Sequence, residues 1–444
     1  MNSASIDRRH HPLRPMTSFS PPPAVTEGID SNTGHRLDYL DATRAFALVL
    51  GVVFHASLSF LPVFMGWAVQ DISTSSWVTR FTILSHAFRM ETFFLLAGFF
   101  SRWSYHRAGP IPFLRSRALR IVVPFVVGWF ILRPLLVSGW IMGSASLRGD
   151  VDVAAGIRGG FQSLTTLPTG IFTGSHLWFL YYLAMVTAVT LLARRLVAAT
   201  GARGAILVRQ ADSLVAWLAV SPVSLGVLVA PTALTLWFMR SWGVDTPDQS
   251  LRPHLPALLL YGGFFVLGWL LNRQRQCLDG FIRITPQRCL LAAFGIASIL
   301  LLGDIERDPG HPHFQLAHAT YAVGYATTMW SLVLLTLGAF RKFCPRPRAA
   351  IRYIADSSYW MYLVHLPIVV WLQVAVAELP LPWWLKLTLV TLVTVALCLL
   401  TYDLVVRSTW LGMLLHGRRR DRVLLPLLRR PSFLASLRLR VRSN

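Results

Sequence analysis

The fold of this chain is decided by its first long apolar run, Thr43–Phe64, which reads TRAFALVLGVVFHASLSFLPVF. A stretch of about 20 apolar residues can cross the hydrocarbon core of a bilayer as a helix. Similar runs recur along the chain, so the sequence predicts an all-α, polytopic transmembrane bundle of about ten spans. The predicted spans are Thr43–Phe64, Phe81–Phe100, Ala118–Val137, Leu177–Leu196, Pro222–Met239, Leu255–Leu271, Cys289–Leu302, Ala317–Phe340, Tyr359–Val376 and Trp383–Val406.

The composition is also that of a membrane protein. Hydrophobic residues make up 54% of the 444 residues, charged residues make up 14%, and the mean hydropathy is +0.52. This charged share is about half that of a typical soluble domain. The net charge of +22 would fit a nucleic-acid-binding protein, but the arginines lie between apolar runs and in both tails, not on one compact basic domain. We therefore exclude nucleic acid as a partner and expect the lipid bilayer to surround most of the chain.

The placement of arginine predicts the orientation. One alternating set of connections is basic and contains Arg102, Arg107, Arg115, Arg117, Arg194, Arg195, Arg203, Arg209, Arg273, Arg275, Arg283, Arg288, Arg341, Arg346 and Arg348. The other set carries most of the acids: Asp71, Asp150, Asp152, Asp245, Asp248, Asp304, Glu306, Asp308 and Glu378. Basic connections stay in the cytoplasm. We therefore expect both termini there, an even number of spans, and a location in the bacterial inner membrane.

The chain divides into three predicted segments: a disordered cytoplasmic tail (1–36), a membrane domain (37–406) and a basic cytoplasmic tail (407–444). The first tail is polar and Pro-rich, and it lacks the apolar core and cleavage site of a signal peptide. From Arg418 onward, arginines alternate with Leu and Val clusters. That pattern fits either an interfacial helix on the anionic inner leaflet or a solvated tail that sets topology.

No metal or disulfide framework is expected. The four cysteines, Cys277, Cys289, Cys344 and Cys398, show no metal-ligand spacing. One outer connection holds His311, His313 and His318 beside Asp304, Glu306 and Asp308. A solvated acidic loop explains that cluster better than a metal site does.

The first span carries ionisable residues that are costly inside a membrane and therefore point to function. Arg44 and His55 are 11 residues apart, about three helical turns, so they share one face and lie about 16 Å apart along the axis. Asp41 precedes Arg44 by three residues and is expected to pair with it. Alternatively, Arg44 only snorkels to the surface and His55 is a packed polar residue.

The second span contains His86, Arg89 and Glu91, and Gly98 would let another helix approach closely. Glu91 is expected to need a partner, an arginine or histidine on another span. A structural ion pair and a catalytic role both remain open for Glu91.

The third span begins with Arg117 and Arg120, three residues apart on one helix face. Two guanidinium groups suit phosphate oxygens. An ordinary pair of topogenic arginines is the alternative.

Five motifs in order resemble those of the acyltransferase-3 family of integral membrane acyltransferases. They are the Arg44-to-His55 spacing, Phe93–Phe100, Arg117-x-x-Arg120 followed by Ile121 and Pro124, His176–Leu180, and Tyr362–Ile368 with its Tyr-x-x-His-x-Pro pattern. The match runs from Arg36 to about Val406. Within the family, the segment from Arg36 to Arg44 and the segment His86–Glu91 look most like the branch associated with succinyl groups on osmoregulated periplasmic glucans.

The resemblance implies a reaction and roles. Acyl-CoA (succinyl-CoA or acetyl-CoA) would be the cytosolic donor, no cofactor would be permanently bound, and a periplasmic carbohydrate hydroxyl would be the acceptor. His55 is the candidate base or acyl carrier, grouped with Arg44, Asp41 and Glu91 as the catalytic set. The predicted donor contacts are Arg117, Arg120 and His365. The predicted acceptor contacts are His86, His176, Trp178 and Tyr181, with the last three near the outer mouth.

Two rival functions also fit parts of the sequence. A proton-coupled transporter or flippase of a sugar or lipid also uses intramembrane His, Arg and Glu, but it usually has internal repeats and broken helices, which the sequence does not reveal. A scaffold of a polysaccharide synthesis complex explains the topology but not the aligned Arg44 and His55.

Overall fold

The structure, a computed structural model, describes residues 31–146, 149, 151–165, 175–239, 243–248, 251–346, 348–417 and 419–424, without the side chains of residues 31–37 and 416. Throughout these ranges it is built from helices and contains no strand. Nine of the described helices are long and apolar enough to cross a membrane, and one bent helix pair brings the total to ten. The chain is therefore a multi-pass membrane protein with the predicted all-α architecture.

The helices are α1 (Ser31–Ser57), α2 (Ser76–Ala108), α3 (Pro110–Arg117), α4 (Val123–Ser146), α5 (Val153–Gln162), α6 (Trp178–Ala199), α7 (Ala202–Val220), α8 (Ser224–Trp237), α9 (Leu255–Arg273), α10 (Leu278–Phe281), α11 (Pro286–Glu306), α12 (Phe314–Phe343), α13 (Ala349–Val376), α14 (Trp383–Thr401) and α15 (Trp410–His416). Two π-helical turns interrupt this series: Ala118–Val122 joins α3 to α4, and Tyr402–Arg407 follows α14.

Most predicted spans lie inside observed helices, and the differences are at the ends. The first span stops earlier than predicted, because α1 passes into a short 3-10 turn that ends at Phe60. Leu61 is extended, with φ −69° and ψ 138°, because a residue before proline, here Pro62, is disfavoured in the helical region. The third span is longer than predicted, since one helical run extends from Pro110 to Ser146.

The fifth predicted span, Pro222–Met239, needs correction. Its place is taken by α8, which has 14 residues and is bent by 114° from α7. About 21 Å of helix is shorter than the hydrocarbon core. The segment of α7 was predicted to be a basic connection, since it carries Arg203 and Arg209. Its Asp212 bonds to Arg273 at the end of α9, at 2.7 Å, so α7 lies along that end of the bundle.

Close packing of α2 on α9 depends on a pair of glycines. A Cβ atom at Gly98 would lie 1.9 Å from the carbonyl oxygen of Phe265, and one at Gly268 would lie 1.9 Å from that of Leu95. Any side chain at either position would separate the helices. The predicted role of Gly98 in close helix approach is therefore confirmed.

Described helices extend into both predicted tails. α1 begins at Ser31, so residues 31–36 are helical, whereas residues 1–30 lie outside the described residues. At the other end, α15 and the residues after it fold back on the bundle, and Arg422 donates to Ser408 at 3.1 Å. Residues 425–444, which hold most of the predicted interfacial or solvated tail, are not among the described residues.

We predict that both termini face the cytoplasm. Ten crossings, with the bent pair α7 and α8 counted as one broken span, return the chain to its starting side, and the basic connections are expected on the cytoplasmic side. Reporter fusions after Arg348 and after Arg418 should give cytoplasmic signals. An alkaline phosphatase fusion in the connection that contains Asp308 provides the opposite, periplasmic control. A periplasmic signal at either arginine would contradict this topology.

Candidate active site

A cavity of about 870 Å³ lies inside the bundle, walled mainly by α1, α2, α4, α6 and α13. We describe it in three parts. The arginine end is formed by Arg44, Arg117 and Arg120. The histidine cluster consists of His55, His86, His176 and His365. The loop end is formed by Met65, Gly66, Trp67, Thr246 and Asp248, which lie in the connections after α1 and α8.

Arg44 and His55 both line this cavity, so the predicted shared face of α1 is confirmed. Arg44 pairs with Asp41 at 3.2 Å, as predicted, and donates to the carbonyl oxygen of Ala355 on α13 at 3.1 Å. Two contacts therefore orient the guanidinium group. Asp41 does not line the cavity, so it can act only through Arg44.

Arg117 and Arg120 flank the start of the first π-helical turn, and both line the arginine end. The guanidinium group of Arg117 lies 4.9 Å from the centre of the Phe113 ring, and its Nε has no hydrogen-bond partner among the described residues. The backbone carbonyl of Arg120 accepts a bond from Tyr359 at 2.6 Å, which ties the turn to α13. The end of the cavity thus presents three guanidinium groups suited to an anion.

Three histidines from distant parts of the chain meet in the middle of the cavity. The ring centroids of His55 and His365 are 5.3 Å apart, and those of His365 and His176 are 6.0 Å apart. His365 was predicted to contact the donor and His176 to lie at the outer mouth. The structure places His365 beside His55, because α13 packs against α1, and it places His176, in the 3-10 turn Ser175–Leu177 before α6, beside His365.

Backbone carbonyls orient two of these rings. Nδ1 of His365 donates to the carbonyl oxygens of Met361 and Tyr362, at 3.0 and 2.9 Å, and Nε2 of His176 donates to that of Leu363 at 2.9 Å. The other nitrogen of a neutral ring is then an acceptor. Nδ1 of His55 has no partner in the described part of the chain. The cluster can therefore accept a proton from a bound hydroxyl group.

His86 joins the cluster through Phe54, whose ring lies 5.6 Å from His86 and 5.1 Å from His55. The two nitrogens of His86 lie 3.3 Å from the hydroxyl oxygens of Tyr325 and Thr246. His86 therefore connects the cavity wall to the loop end.

Arg89 also lines the cavity, although no role was predicted for it. It is 5% exposed, and its guanidinium group lies 4.1 Å from the centre of the Phe54 ring. Its Nη1 has no hydrogen-bond partner within the described ranges. A buried cation beside the histidine cluster is suited to stabilise an oxyanion. A functional role for Arg89 could have been predicted from the sequence, because a charged residue within an apolar span is costly and usually functional.

Glu91 lies elsewhere, although it was predicted to belong to the catalytic set. It is fully buried but does not line the cavity, since residues two apart on a helix point to nearly opposite sides. Neither carboxylate oxygen has a hydrogen-bond partner among the described residues. The predicted arginine or histidine partner on another span is therefore not found within that part of the chain.

Two predicted acceptor contacts, Tyr181 and Trp178, do not offer an open surface for a sugar. Tyr181 does not line the cavity, and its hydroxyl group donates to the carbonyl oxygen of Leu251. Trp178 lines the cavity but is 7% exposed, and its ring packs against Tyr182 and Tyr261. It lies within an aromatic cluster and does not form an open platform for a sugar.

Two other tryptophans take that place at the loop end. The ring of Trp67 stacks on His55, with centroids 5.8 Å apart and an angle of 18°, and meets Trp140 edge-on at 5.2 Å. Gln373 accepts a bond from Trp67 at 2.9 Å and donates to the carbonyl oxygens of His55 and Ala56, at 3.0 Å each. One side chain therefore holds Trp67 and the end of α1 together.

A buried ion pair anchors the connection that carries Trp67. Lys386 on α14 lies 2.7 Å from Asp71, and the two side chains are 0% and 1% exposed. Lys386 also donates to the carbonyl oxygen of Ala377, and Asp71 accepts from the backbone of Ser73. The pair thus fixes the loop end against the turn between α13 and α14.

Comparison with known proteins shows the family to which this membrane protein belongs. A family model described as an acyltransferase domain matches residues 37–403, so the chain belongs to the acyltransferase-3 family. Glucans biosynthesis protein C from Salmonella typhimurium, Salmonella typhi and Salmonella enteritidis is 25% identical to it over 337 residues, covering 74% of this chain and 81% of the relative. No solved structure matches the chain.

Proposed function

We propose that the protein transfers a succinyl or acetyl group from cytosolic acyl-CoA to hydroxyl groups of a periplasmic glucan, across the bacterial inner membrane. The observation that carries this proposal is one cavity that links the three guanidinium groups of the arginine end, four histidines and an aromatic loop end. Arg44 and His55 are about 16 Å apart along α1. An elongated donor with a phosphate-rich head and a thioester tail fits that separation.

The donor's phosphates would bind at the arginine end, where charge-assisted bonds to guanidinium groups are strong. Its arm would then run along an apolar wall that includes Phe93, Ala97 and Phe100 on α2. The thioester would reach the histidine cluster, with Arg89 available for its carbonyl oxygen.

The chemistry needs one base. With His55 in that role, the sugar hydroxyl oxygen bonds to the acyl carbon, the carbon–sulfur bond breaks, and the hydroxyl proton passes through the imidazole to the departing CoA thiolate. If His55 instead carries the acyl group, an acyl-imidazole forms first and ping-pong kinetics result.

The acceptor would enter at the loop end, where Trp67 and Trp140 offer aromatic surface next to His55. Tryptophan rings combine large apolar area with a polar edge, and both suit a sugar ring. The relatives named for glucan biosynthesis support a glucan as this acceptor.

Mass spectrometry of periplasmic glucans tests the overall reaction. Glucans from a strain that lacks the gene should lose their acyl groups and regain them when the gene is restored. Glucans with unchanged acyl content in the deleted strain would contradict the acceptor.

A transporter is the second candidate, because the bent pair α7 and α8 is a broken helix of the kind transporters use. In transporters, broken helices line the substrate site. No residue of α7 or α8 is among the described cavity-lining residues, so the structure favours an enzyme over a transporter.

We predict that replacing both Arg117 and Arg120 by glutamine weakens acyl-CoA binding at least about tenfold, because each guanidinium-to-anion contact contributes roughly 1.5–3 kcal/mol. Isothermal titration with acyl-CoA measures the change, and glucan binding should stay constant. The matched control replaces Arg107 and Arg115, which are exposed and outside the cavity, and removes the same charge. Unchanged donor binding in the Arg117 and Arg120 variant would make these residues purely topogenic.

A further inference from the structure

The C-terminal strap, which we define as residues 410–417 and 419–424, covers the arginine end of the cavity. Leu415, in the short helix α15, is buried and lines the cavity. Gly417 follows with a φ of +77°, and a Cβ atom there would lie 2.4 Å from a terminal nitrogen of Arg120. The left-handed φ favours glycine at this turn, where the strap passes directly over a predicted donor contact.

Buried polar contacts anchor the end of the strap. Asp403, which is fully buried in the second π-helical turn, accepts the backbone N–H groups of Val423 and Leu424, at 2.9 and 3.1 Å. Arg407 donates to the carbonyl oxygen of Asp421 at 2.6 Å. The strap is thus part of the folded bundle, although the sequence resembles a simple basic tail.

Just before these anchored residues, Arg420 forms an ion pair with Asp356 on α13. Asp248 and Asp356 are the acidic side chains among the described residues that line the cavity, and Asp356 is the one at the arginine end. It directly follows Ala355, whose carbonyl oxygen binds Arg44. A carboxylate therefore stands where the proposed donor presents its phosphates.

We propose that Arg420 is a positioning residue of the donor site, which neutralises Asp356 so that the other three arginines can bind an anionic donor. This inference rests on the proposed function, since it assumes that acyl-CoA enters at the arginine end. Without Arg420, the carboxylate would repel the donor's phosphates and compete for the guanidinium groups of the site. With Arg420 in place, the wall of this end carries no uncompensated negative charge among its described residues.

The expected loss of donor affinity depends on how exposed Arg420 and Asp356 are to water. The side chains of Arg420 and Asp356 are 24% and 22% exposed, so water screens part of their charge. We therefore expect Arg420→Gln to weaken binding of coenzyme A by about tenfold, well below the repulsion of a fully buried pair. The turnover number at saturating donor should change little, because Arg420 does not reach the histidine cluster.

The test is a charge cycle in the full-length protein, with coenzyme A binding measured by isothermal titration in lipid nanodiscs. Arg420→Lys keeps the charge and should bind like the wild type. Arg419→Gln removes the same charge from an exposed neighbour and should also bind normally. The decisive variant combines Asp356→Asn with Arg420→Gln. Removing the uncompensated carboxylate should restore binding to within about twofold of the wild type.

The outcomes separate the two proposals. If wild-type protein does not bind coenzyme A, the donor is wrong and this inference falls with it. If the wild type binds and Arg420→Gln binds equally well, only the role of Arg420 is overturned. If the double variant binds as weakly as Arg420→Gln, Arg420 contacts the donor itself or merely anchors the strap, and neutralisation of Asp356 is not its role.

Discussion

Replacing His55 by alanine is expected to reduce acyl transfer at least about a hundredfold, while the protein still inserts and accumulates normally. A positioned general base contributes roughly 100- to 10,000-fold to a rate. His55 lies where α1, α13 and Trp67 meet, and its Nδ1 has no partner among the described residues. The substitution removes the imidazole and leaves the helix backbone in place.

Transfer of labelled acyl groups to glucan, measured per amount of membrane-inserted protein, tests this expectation. His313→Ala is the matched control, since His313 is exposed on the connection between α11 and α12 and should be dispensable. A near-native rate in His55→Ala would make His55 a packed structural residue and leave His176 or His365 as the base. A loss of rate together with a loss of inserted protein would likewise point to a structural role.

The second large effect concerns stability. Replacing Lys386 by methionine should lower the free energy of unfolding by about 3–5 kcal/mol, because it leaves the carboxylate of Asp71 buried and unpaired. The affected connection also holds Trp67 against His55, so activity should fall at temperatures where the native protein is still stable. Thermal unfolding in detergent, followed by tryptophan fluorescence, measures the loss.

The chain contains its own control, because its two lysines are Lys342 and Lys386. Lys342→Met alters an exposed lysine and should leave the unfolding temperature nearly constant. Adding Asp71→Asn to Lys386→Met should recover much of the stability, since asparagine can still accept the bond from Ser73 without carrying a charge. If Lys386→Met alone is as stable as the wild type, the pair does not hold the loop end.

Features set by local spacing were predictable from the sequence. Helical periodicity alone determined that Arg44 and His55 share a face and that Asp41 pairs with Arg44, because these residues lie on one helix. The hydrocarbon thickness similarly determined the spans, and Gly98 indicated a close helix contact. Family membership also followed, since its motifs are short and ordered along the chain.

Local spacing did not determine which polar residue of a helix faces the cavity or where a helix bends. Arg89 and Glu91 are two residues apart, so at most one of them could face the cavity, but nothing in α2 shows which one. The bend between α7 and α8 could not be predicted either. The sequence of α7 carries several charges, and such a segment beside an apolar span resembles a loop.

Only the tertiary structure decided which distant residues meet. His365 reaches His55 and His176 reaches His365. Lys386 reaches Asp71 over 315 positions, and Arg420 reaches Asp356 over 64. The periodicity of a helix specifies which side of it is polar, but not which neighbouring helix that side will face. That choice depends on how the helices pack, through contacts such as Gly98 on Phe265 and the fold-back of the C-terminal strap, and these contacts assemble the site.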